Sequence, residues 1–205
     1  DERGNDLLDD WREGHLHLRP RRRRHALLRR LREGDIVSMD FGVELEGYFG
    51  DAALTVPVGT IAPEREKLLR VTRESLDRAI EQVKPGNHWN DPHDVTVKVL
   101  TEGLVQLGLL QGEVDKLIET GAYRDFYMHR AGHWIGMDVH DVSVNFDGNY
   151  LPGMTFTIEP ALTIPDERVY VRLEDPLFIT ATGVEHVTKT LPMEIADIEA
   201  VMRKK

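Results

Sequence analysis

The sequence contains no cysteine among its 205 residues. This absence excludes a disulfide-stabilised scaffold and every metal site that depends on thiolate ligands. A metal ion bound by this chain must therefore be held by histidine, aspartate and glutamate side chains.

The sequence also lacks a long hydrophobic run. No apolar stretch approaches the roughly 20 residues that a membrane-spanning helix needs, and the N-terminus has no apolar core of the signal-peptide kind. With 40% hydrophobic and 30% charged residues, the composition is ordinary for a soluble protein with one buried core. A cytoplasmic location is the default expectation.

The formal net charge of −10 is unevenly distributed. Residues 1–32 hold ten arginines against six acids, with an unbroken arginine run at 21–24, whereas the remainder is strongly acidic. The run has three interpretations: a nucleic-acid patch, a solvated helix face, or a segment that departs from ordinary native sequence. The acidic body argues against nucleic acid. We predict an atypical basic leader over 1–32 and a single domain over 33–205.

The hydrophobic pattern of the domain predicts an α+β fold. Apolar side chains alternate from Val37 to Val43, and a returning strand over 48–58 makes a hairpin. Proline at the start and glycine at the end delimit the helices that follow. The predicted helices span 63–83, 91–107, 113–119 and 194–202, and the later strands span 134–139, 155–158 and 169–179. Strands, then helices, then strands are typical of the α+β class.

The hairpin carries two aspartates on one face. If Leu45 and Glu46 form the tip of the turn, Asp40 lies directly opposite Asp51, and like charges so paired, with Cβ atoms roughly 4.5–5.5 Å apart, destabilise a sheet. Two divalent cations, which lie roughly 3.5–4 Å apart in dinuclear hydrolases, would compensate. Alternatively, both aspartates point into solvent and protect a sheet edge. The pair alone does not decide between these interpretations.

Three histidines lie within twelve residues: His129, His133 and His140. Such a cluster, interspersed with glycines and without any cysteine, favours a metal site or an acid–base site.

Two later strands end in acids. The alternation places Glu159 on the face opposite Phe156 and Ile158, and it places Arg172 on the same face as Glu174. Each acid alone is weak evidence, because exposed acids are common on strands.

Four segments, in this order, resemble the pita-bread metallopeptidases. They are the hairpin with Asp40 and Asp51 and the runs 132–141, 152–160 and 172–175. The resemblance covers nearly all of the chain after the basic leader, and it implies the pita-bread (creatinase/aminopeptidase) fold. The motif His-Trp-Ile-Gly-Met-Asp-Val-His-Asp resembles most closely the corresponding motif of the Xaa-Pro aminopeptidases. Prolidase is close, and methionine aminopeptidase is more distant.

The resemblance implies two divalent metal ions. The implied ligands are Asp40, Asp51, His133, Glu159 and Glu174. Mn²⁺ suits this oxygen-rich set best, although Co²⁺ or Zn²⁺ could occupy it. By the same resemblance, hydroxide held between the metals attacks the scissile carbonyl, and Glu159 shuttles the proton.

The resemblance also implies how substrate is held. His129 and His140 bind the substrate and stabilise the tetrahedral oxyanion, and Arg172 steadies the site and the proline end of the substrate. The expected substrates are peptides with proline at position two. The expected assembly is a homo-oligomer, with neither nucleic acid nor membrane as a partner.

The match fails ahead of the first strand. Relatives carry a substrate-binding histidine before the Leu-Arg-Glu-Gly-Asp entry, but here Arg23 occupies that position and His25 lies two residues late. The opening helices of the fold have no counterpart in residues 1–30, so we expect a truncated or degraded first half. The leader is expected to be partly mobile, or to be ordered only by a second chain. We therefore expect Mn²⁺ binding with low peptidase activity.

Two other functions remain open. A prolidase performs the same chemistry with a size limit that loops and partner subunits set. A catalytically weak pita-bread module that binds a peptide is the second alternative. The intact set of five implied ligands favours a peptidase.

Overall fold

A two-residue turn shapes the first hairpin. The structure, a computed structural model, describes residues 30–143, 147–192 and 195–203. Strands β1 (Ile36–Leu45) and β2 (Tyr48–Pro57) are antiparallel and pair Leu45 with Tyr48. The turn residues Glu46 and Gly47 both have positive φ, 54° and 84°, as in the type I′ turn that matches strand twist. The predicted tip at Leu45 and Glu46 is wrong, because it would leave Gly47 in the strand, away from the positive φ that glycine adopts without strain.

The corrected turn changes the register of the two aspartates. Asp40 lies opposite Ala53, and Asp51 lies opposite Gly42. Because the partner shifts by two residues, both aspartates still share one face of the hairpin. They are diagonal neighbours, however, and the predicted direct opposition is wrong.

Four helices are described, and they agree closely with the predicted spans. The bounds are α1 Pro63–Ile80, α2 Asp91–Gln106, α3 Val114–Thr120 and α4 Ile195–Arg203. Proline lies in the first turn of α1 and α2, where its missing N–H has no helical partner to lose. None of the described helices is long and apolar enough to cross a membrane.

Five short strands form the second half of the domain. They are β3 Thr155–Ile158, β4 Ala161–Ile164, β5 Val169–Arg172, β6 Asp175–Ile179 and β7 Val184–His186. The order β3-β6-β7 makes one antiparallel sheet, and β4 pairs with β5 in another. The strand predicted over 169–179 is broken before β6, because Glu174 instead exchanges backbone hydrogen bonds with Ala53 of β2 at 2.9 and 3.4 Å. This bridge joins the first hairpin to the second half.

The strand predicted over 134–139 is wrong. Only Trp134 pairs, through isolated bridges to Phe156 and Asp141. The Asp141 carboxylate accepts a hydrogen bond from the Met137 N–H at 2.9 Å, so the intervening residues close into a loop. A local carboxylate therefore takes a backbone donor that a neighbouring strand would otherwise use.

The core lies between the helices and the later strands. One buried cluster joins α1 and α2 to β4 and β5, and a second joins the C-terminal half of α1 to β3 and β6. Phe156 and Ile158 of β3 belong to the second cluster and are at most 2% exposed. The opposite side of β3 is left for the charged groups described next.

Candidate metal centre

Three side chains from separate parts of the chain converge beside the hairpin. Asp51 belongs to β2, His133 to the segment before β3, and Glu174 to the break between β5 and β6. Their potential ligand atoms all lie within 4.8 Å of one another. His133 Nε2 lies 3.5 Å from Asp51 Oδ2 and 3.6 Å from Glu174 Oε1. Atoms held about 2.0–2.2 Å from one ion are spaced about 3–3.5 Å apart, so the cluster has nearly the dimensions of a coordination sphere.

A glycine allows the His133 segment to lie against β3. The Thr157 N–H donates to the His133 carbonyl at 2.8 Å, and the Glu159 N–H donates to the Ala131 carbonyl at 2.7 Å. A Cβ at Gly132 would lie 1.8 Å from the Thr157 carbonyl oxygen, so no other residue fits there without displacing the strand.

Hydrogen bonding orients the His133 ring. Its Nδ1 lies 2.9 Å from the Trp134 carbonyl oxygen, which can only accept, so Nδ1 carries the proton. Nε2 therefore faces the carboxylates. This arrangement is the usual one for a metal-binding histidine, whose other nitrogen donates to a carbonyl or a carboxylate.

Glu159 extends the cluster from the end of β3. Its Oε1 lies 3.9 Å from His133 Nε2, and its Oε2 lies 3.4 Å from Arg172 Nη2. Burial, followed by the charges of Glu174 and Asp51, raises the pKa of Glu159 to about 7, and Arg172 and His133 oppose that rise.

Glu174 supplies the strongest test of whether a cation fits. The residue is 1% exposed, and its Oε1 is buried with no hydrogen-bond partner among the described residues. Burial and the charge of Asp51 raise its pKa, whereas His133 lowers it. His133 Nε2, 3.6 Å away, is too distant for a hydrogen bond. A buried carboxylate oxygen without a hydrogen bond is costly, and a divalent cation would satisfy it. The donor set of carboxylates and one imidazole suits such a cation.

The charge balance leads to the same conclusion. Burial alone would lower the pKa of His133, but Asp51 and Glu174 raise it to about 10. The cluster therefore attracts positive charge strongly, and in the metal-free protein the His133 imidazolium supplies that charge.

Asp40 stands apart from the other four predicted ligands. Its side chain is 52% exposed and accepts a hydrogen bond from Arg172 Nη1 at 3.0 Å. Arg172 thus lies between Asp40 and Glu159. Asp51, Glu159 and Glu174 lie around His133. Asp40 shares a hairpin face with Asp51 but is hydrogen-bonded to Arg172.

The two substrate-binding candidates lie on either side of His133 in the sequence. The His140 ring is exposed and perpendicular to the His133 ring, with centroids 4.4 Å apart. The His129 ring meets Tyr127 edge-on at 4.9 Å. His129 Nδ1 donates to the Arg130 carbonyl at 2.7 Å.

The surroundings of His129 fix what it can offer a substrate. Burial lowers its pKa, and the positive charge of Arg172 adds to that effect. The neutral ring uses its only proton at Nδ1, so Nε2, which has no partner among the described residues, is an acceptor. This state suits binding of a substrate N–H better than stabilisation of an oxyanion.

Sequence reasoning missed the loop between α1 and α2. Trp89 stacks on Trp134 with ring centroids 4.7 Å apart and planes 10° apart, and Asn90 accepts a hydrogen bond from Arg130. In the sequence these two residues read only as the approach to a helix, because nothing in their spacing indicates a contact some forty residues away. His25, the remaining predicted site residue, lies outside the described residues.

Comparisons with known proteins indicate which family this chain resembles. Residues 11–181 match the model of metallopeptidase family M24. The chain is 41% identical over 186 residues to an Xaa-Pro aminopeptidase of Haemophilus influenzae. Among solved structures, it is similar to Pseudomonas aeruginosa aminopeptidase PepP with a TM-score of 0.80 and 40% identity, covering 84% of this chain and 42% of that one. Zinc-substituted Escherichia coli aminopeptidase P in complex with product gives a TM-score of 0.80 and 36% identity, with coverage of 85% and 43%.

The matches extend over most of this chain but only part of its relatives. The chain spans 43% of the length of the Haemophilus influenzae protein, and the match includes 85% of this chain. What the relatives do as whole proteins is therefore not carried over by similarity alone.

Proposed function

This chain belongs to metallopeptidase family M24 and has its pita-bread fold, and we propose that it carries the dinuclear centre of an Xaa-Pro aminopeptidase. The proposed reaction is hydrolysis of the bond between an N-terminal residue and a following proline. The observation that carries the proposal is the convergence of Asp51, Glu159 and Glu174 on His133 Nε2 at 3.5 to 3.9 Å. The names of the relatives described above add support.

The proposed ligands are the same five that the sequence indicated. They are Asp40, Asp51, His133, Glu159 and Glu174. Mn²⁺ is the proposed metal because four carboxylates and one imidazole form a hard donor set, with Co²⁺ and Zn²⁺ as competitors. Divalent ions held by these residues would supply a hydroxide nucleophile at neutral pH and would polarise the scissile carbonyl.

Glu159 is the proposed proton shuttle. The Glu159 carboxylate contacts both His133 and Arg172, and a carboxylate so placed can accept a proton from the nucleophile and return it to the leaving group. As in the hydrolysis of any peptide bond, the leaving nitrogen must gain a proton as the bond breaks. The contact with Arg172 at 3.4 Å holds the Glu159 carboxylate in place during this transfer.

Arg172 and the two histidines are the proposed substrate contacts. Exposed His140, beside His133, is available to stabilise the oxyanion. The acceptor atom of His129 suits an N–H elsewhere on the peptide, because the Xaa-Pro bond offers none. Arg172 steadies Glu159 and the proline end of the substrate.

A homo-oligomer is the proposed assembly. The outer face of the hairpin tip exposes Val43, Leu45 and Tyr48 by 72, 74 and 64%, and apolar side chains so exposed favour association. Sedimentation velocity of the unaltered chain and of Leu45→Glu tests this, and two equally monomeric samples would contradict it.

Metal analysis followed by a cleavage assay tests the proposed activity. We expect Mn²⁺-dependent release of the first residue from an Ala-Pro-peptide and none from the matched Ala-Ala-peptide. Cleavage of the dipeptide Ala-Pro, without cleavage of longer peptides that begin with Ala-Pro, would indicate a prolidase instead. Metal binding and peptide binding without any cleavage would indicate the weak binding module.

A further inference from the structure

The loop between α1 and α2, residues 81–90, contacts the segment that carries His129 and His133, residues 129–134, at two points. The loop is itself fixed, because the Gly86 N–H donates to the Tyr150 carbonyl at 2.9 Å and the Trp89 N–H donates to the Gly148 carbonyl at 2.7 Å. A loop so attached can hold its side chains in defined positions.

The first contact is aromatic. The Trp89 ring stacks on Trp134 and meets Phe156 and Tyr150 edge-on at 5.3 and 5.7 Å. Aromatic pairs in these geometries contribute beyond their buried area. The Trp134 carbonyl accepts the His133 Nδ1 proton, so the stack holds the residue that orients the metal-binding ring.

The second contact is polar. Asn90 precedes α2 at the N-cap position, but its side chain makes no capping bond to that helix. Its Oδ1 instead accepts from Arg130 Nη2. The Arg130 carbonyl accepts the His129 Nδ1 proton, so this bond holds the residue that orients His129.

The two contacts follow one pattern. Each histidine donates to the carbonyl of the next residue, and the loop grips the side chain of that next residue. We propose that the α1–α2 loop positions the two histidines separately, with Trp89 setting metal affinity through His133 and Asn90 setting substrate binding through His129. The substrate half rests on the proposed function, whereas the metal half needs only metal binding.

Calorimetric titration with Mn²⁺ tests the role of Trp89. Removing a group that supports a metal ligand typically weakens affinity about 10- to 100-fold, so we expect Trp89→Leu to raise the Kd in that range. Trp89→Phe keeps a stacking ring and should lose much less. Tyr123→Leu is the matched control, because Tyr123 is a buried aromatic of the other core cluster and its loss should lower Tm without changing the Kd. An unchanged Kd in Trp89→Leu, or an equal rise in Tyr123→Leu, overturns this half.

Peptide kinetics and peptide binding test the role of Asn90. We expect Asn90→Ala to raise KM for an Ala-Pro-peptide about threefold to tenfold, the effect of losing roughly one hydrogen bond, with kcat and the Mn²⁺ Kd unchanged. Asn90→Asp keeps the acceptor for Arg130 and should restore KM. Lys84→Ala, at an exposed position of the same loop, is the control. A loss confined to kcat, an altered metal Kd, or no rescue by aspartate overturns this half.

The two proposals fail in different ways. If the unaltered chain binds Mn²⁺ but cleaves no proline peptide, the proposed function is wrong, and the Trp89 titration is still decided by the Kd alone. Titration of the metal-loaded chain with the same peptide then replaces KM in the Asn90 comparison, with the same expected rise and the same rescue.

Discussion

Two aspartates on one face of one hairpin lie in different surroundings. The Asp51 side chain is 10% exposed and lies 3.5 Å from His133 Nε2, whereas the Asp40 side chain is 52% exposed and is held by Arg172. Their contacts differ accordingly: Asp51 shares His133 Nε2 with the buried acid Glu174, which lies 3.6 Å from the same atom, whereas Asp40 shares Arg172 with Glu159.

The contrast indicates two unequal halves of the proposed centre. Asp51, His133 and Glu174 already lie close to the spacing of metal ligands. The repulsion between the two carboxylates, together with their burial, favours binding of a cation. At the other half, a cation must compete with a guanidinium for Asp40. Glu159 contacts both halves, through His133 on one side and Arg172 on the other.

Glu159→Gln should have the largest effect, because Glu159 serves both halves. The amide keeps the shape but removes the charge and the proton acceptor, so kcat should fall by at least roughly 10²–10⁴-fold. Mn²⁺ content must be measured on the same sample, because lost metal would mimic lost catalysis. Glu167→Gln, an exposed glutamate in a turn, is the matched control. Full activity in a Glu159→Gln variant that retains its metals would rule out the shuttle role.

Paired substitutions test the inequality of the halves directly. Asp51→Asn should abolish the tighter Mn²⁺ binding step or weaken it at least about 10- to 100-fold, whereas Asp40→Asn should affect only the weaker step. Calorimetry resolves the two steps, and chelation of the unaltered chain should lower Tm because binding contributes to folding stability. Equal losses from the two variants would show that the halves are equivalent. An unchanged Tm after complete metal removal would contradict the cluster itself.

The pH dependence of stability should sharpen the contrast further. The raised pKa values of Glu159, about 7, and of His133, about 10, mean that the metal-free fold keeps protons that the unfolded chain has released. Its stability should therefore fall as pH rises from about 5 towards about 10. Mn²⁺ requires these groups deprotonated, so the Tm gain on adding Mn²⁺ should widen over the same range.

Thermal melts with and without Mn²⁺ between about pH 5.5 and about pH 8.5 measure this dependence. In Glu159→Gln the metal-free slope should flatten below about pH 7, because the titrating group has gone. A metal-free Tm that rises with pH across this range would show that other groups dominate.

How far the sequence predicts this molecule depends on the range of the interaction. Helices with proline and glycine punctuation were predicted closely, because their signals are local. The hairpin register was predicted wrongly, because the choice between a turn at Leu45–Glu46 and a turn at Glu46–Gly47 depended only on the backbone preference of Gly47. The break at Glu174 depended on a backbone bridge to Ala53, more than a hundred residues earlier.

The candidate site divides in the same way. Residue types and strand parity were enough to select Glu159, Glu174 and the histidines as candidates. The sequence could not separate Asp40 from Asp51, because exposure and the contact with Arg172 arise only from tertiary packing. Trp89 and Asn90 were missed because their partners are distant and their residue types are common near a helix start.

His25→Ala should have the smallest effect. It tests whether a residue that precedes β1 contributes to the Asp40 half of the proposed centre. His25 lies outside the described residues, and in the sequence it falls two positions after Arg23, the position at which the family resemblance predicts a substrate-binding histidine. A histidine displaced by two residues has no reason to share the same direction, so we expect kcat/KM to change less than about threefold, the scale of one weak contact. His17→Ala serves as a control from the same segment. The measurement is the Mn²⁺-dependent cleavage of an Ala-Pro-peptide by both variants, with metal content matched. A collapse of activity in His25→Ala alone would show that His25 fills the role despite its offset, and that the Asp40 half is completed by the basic leader.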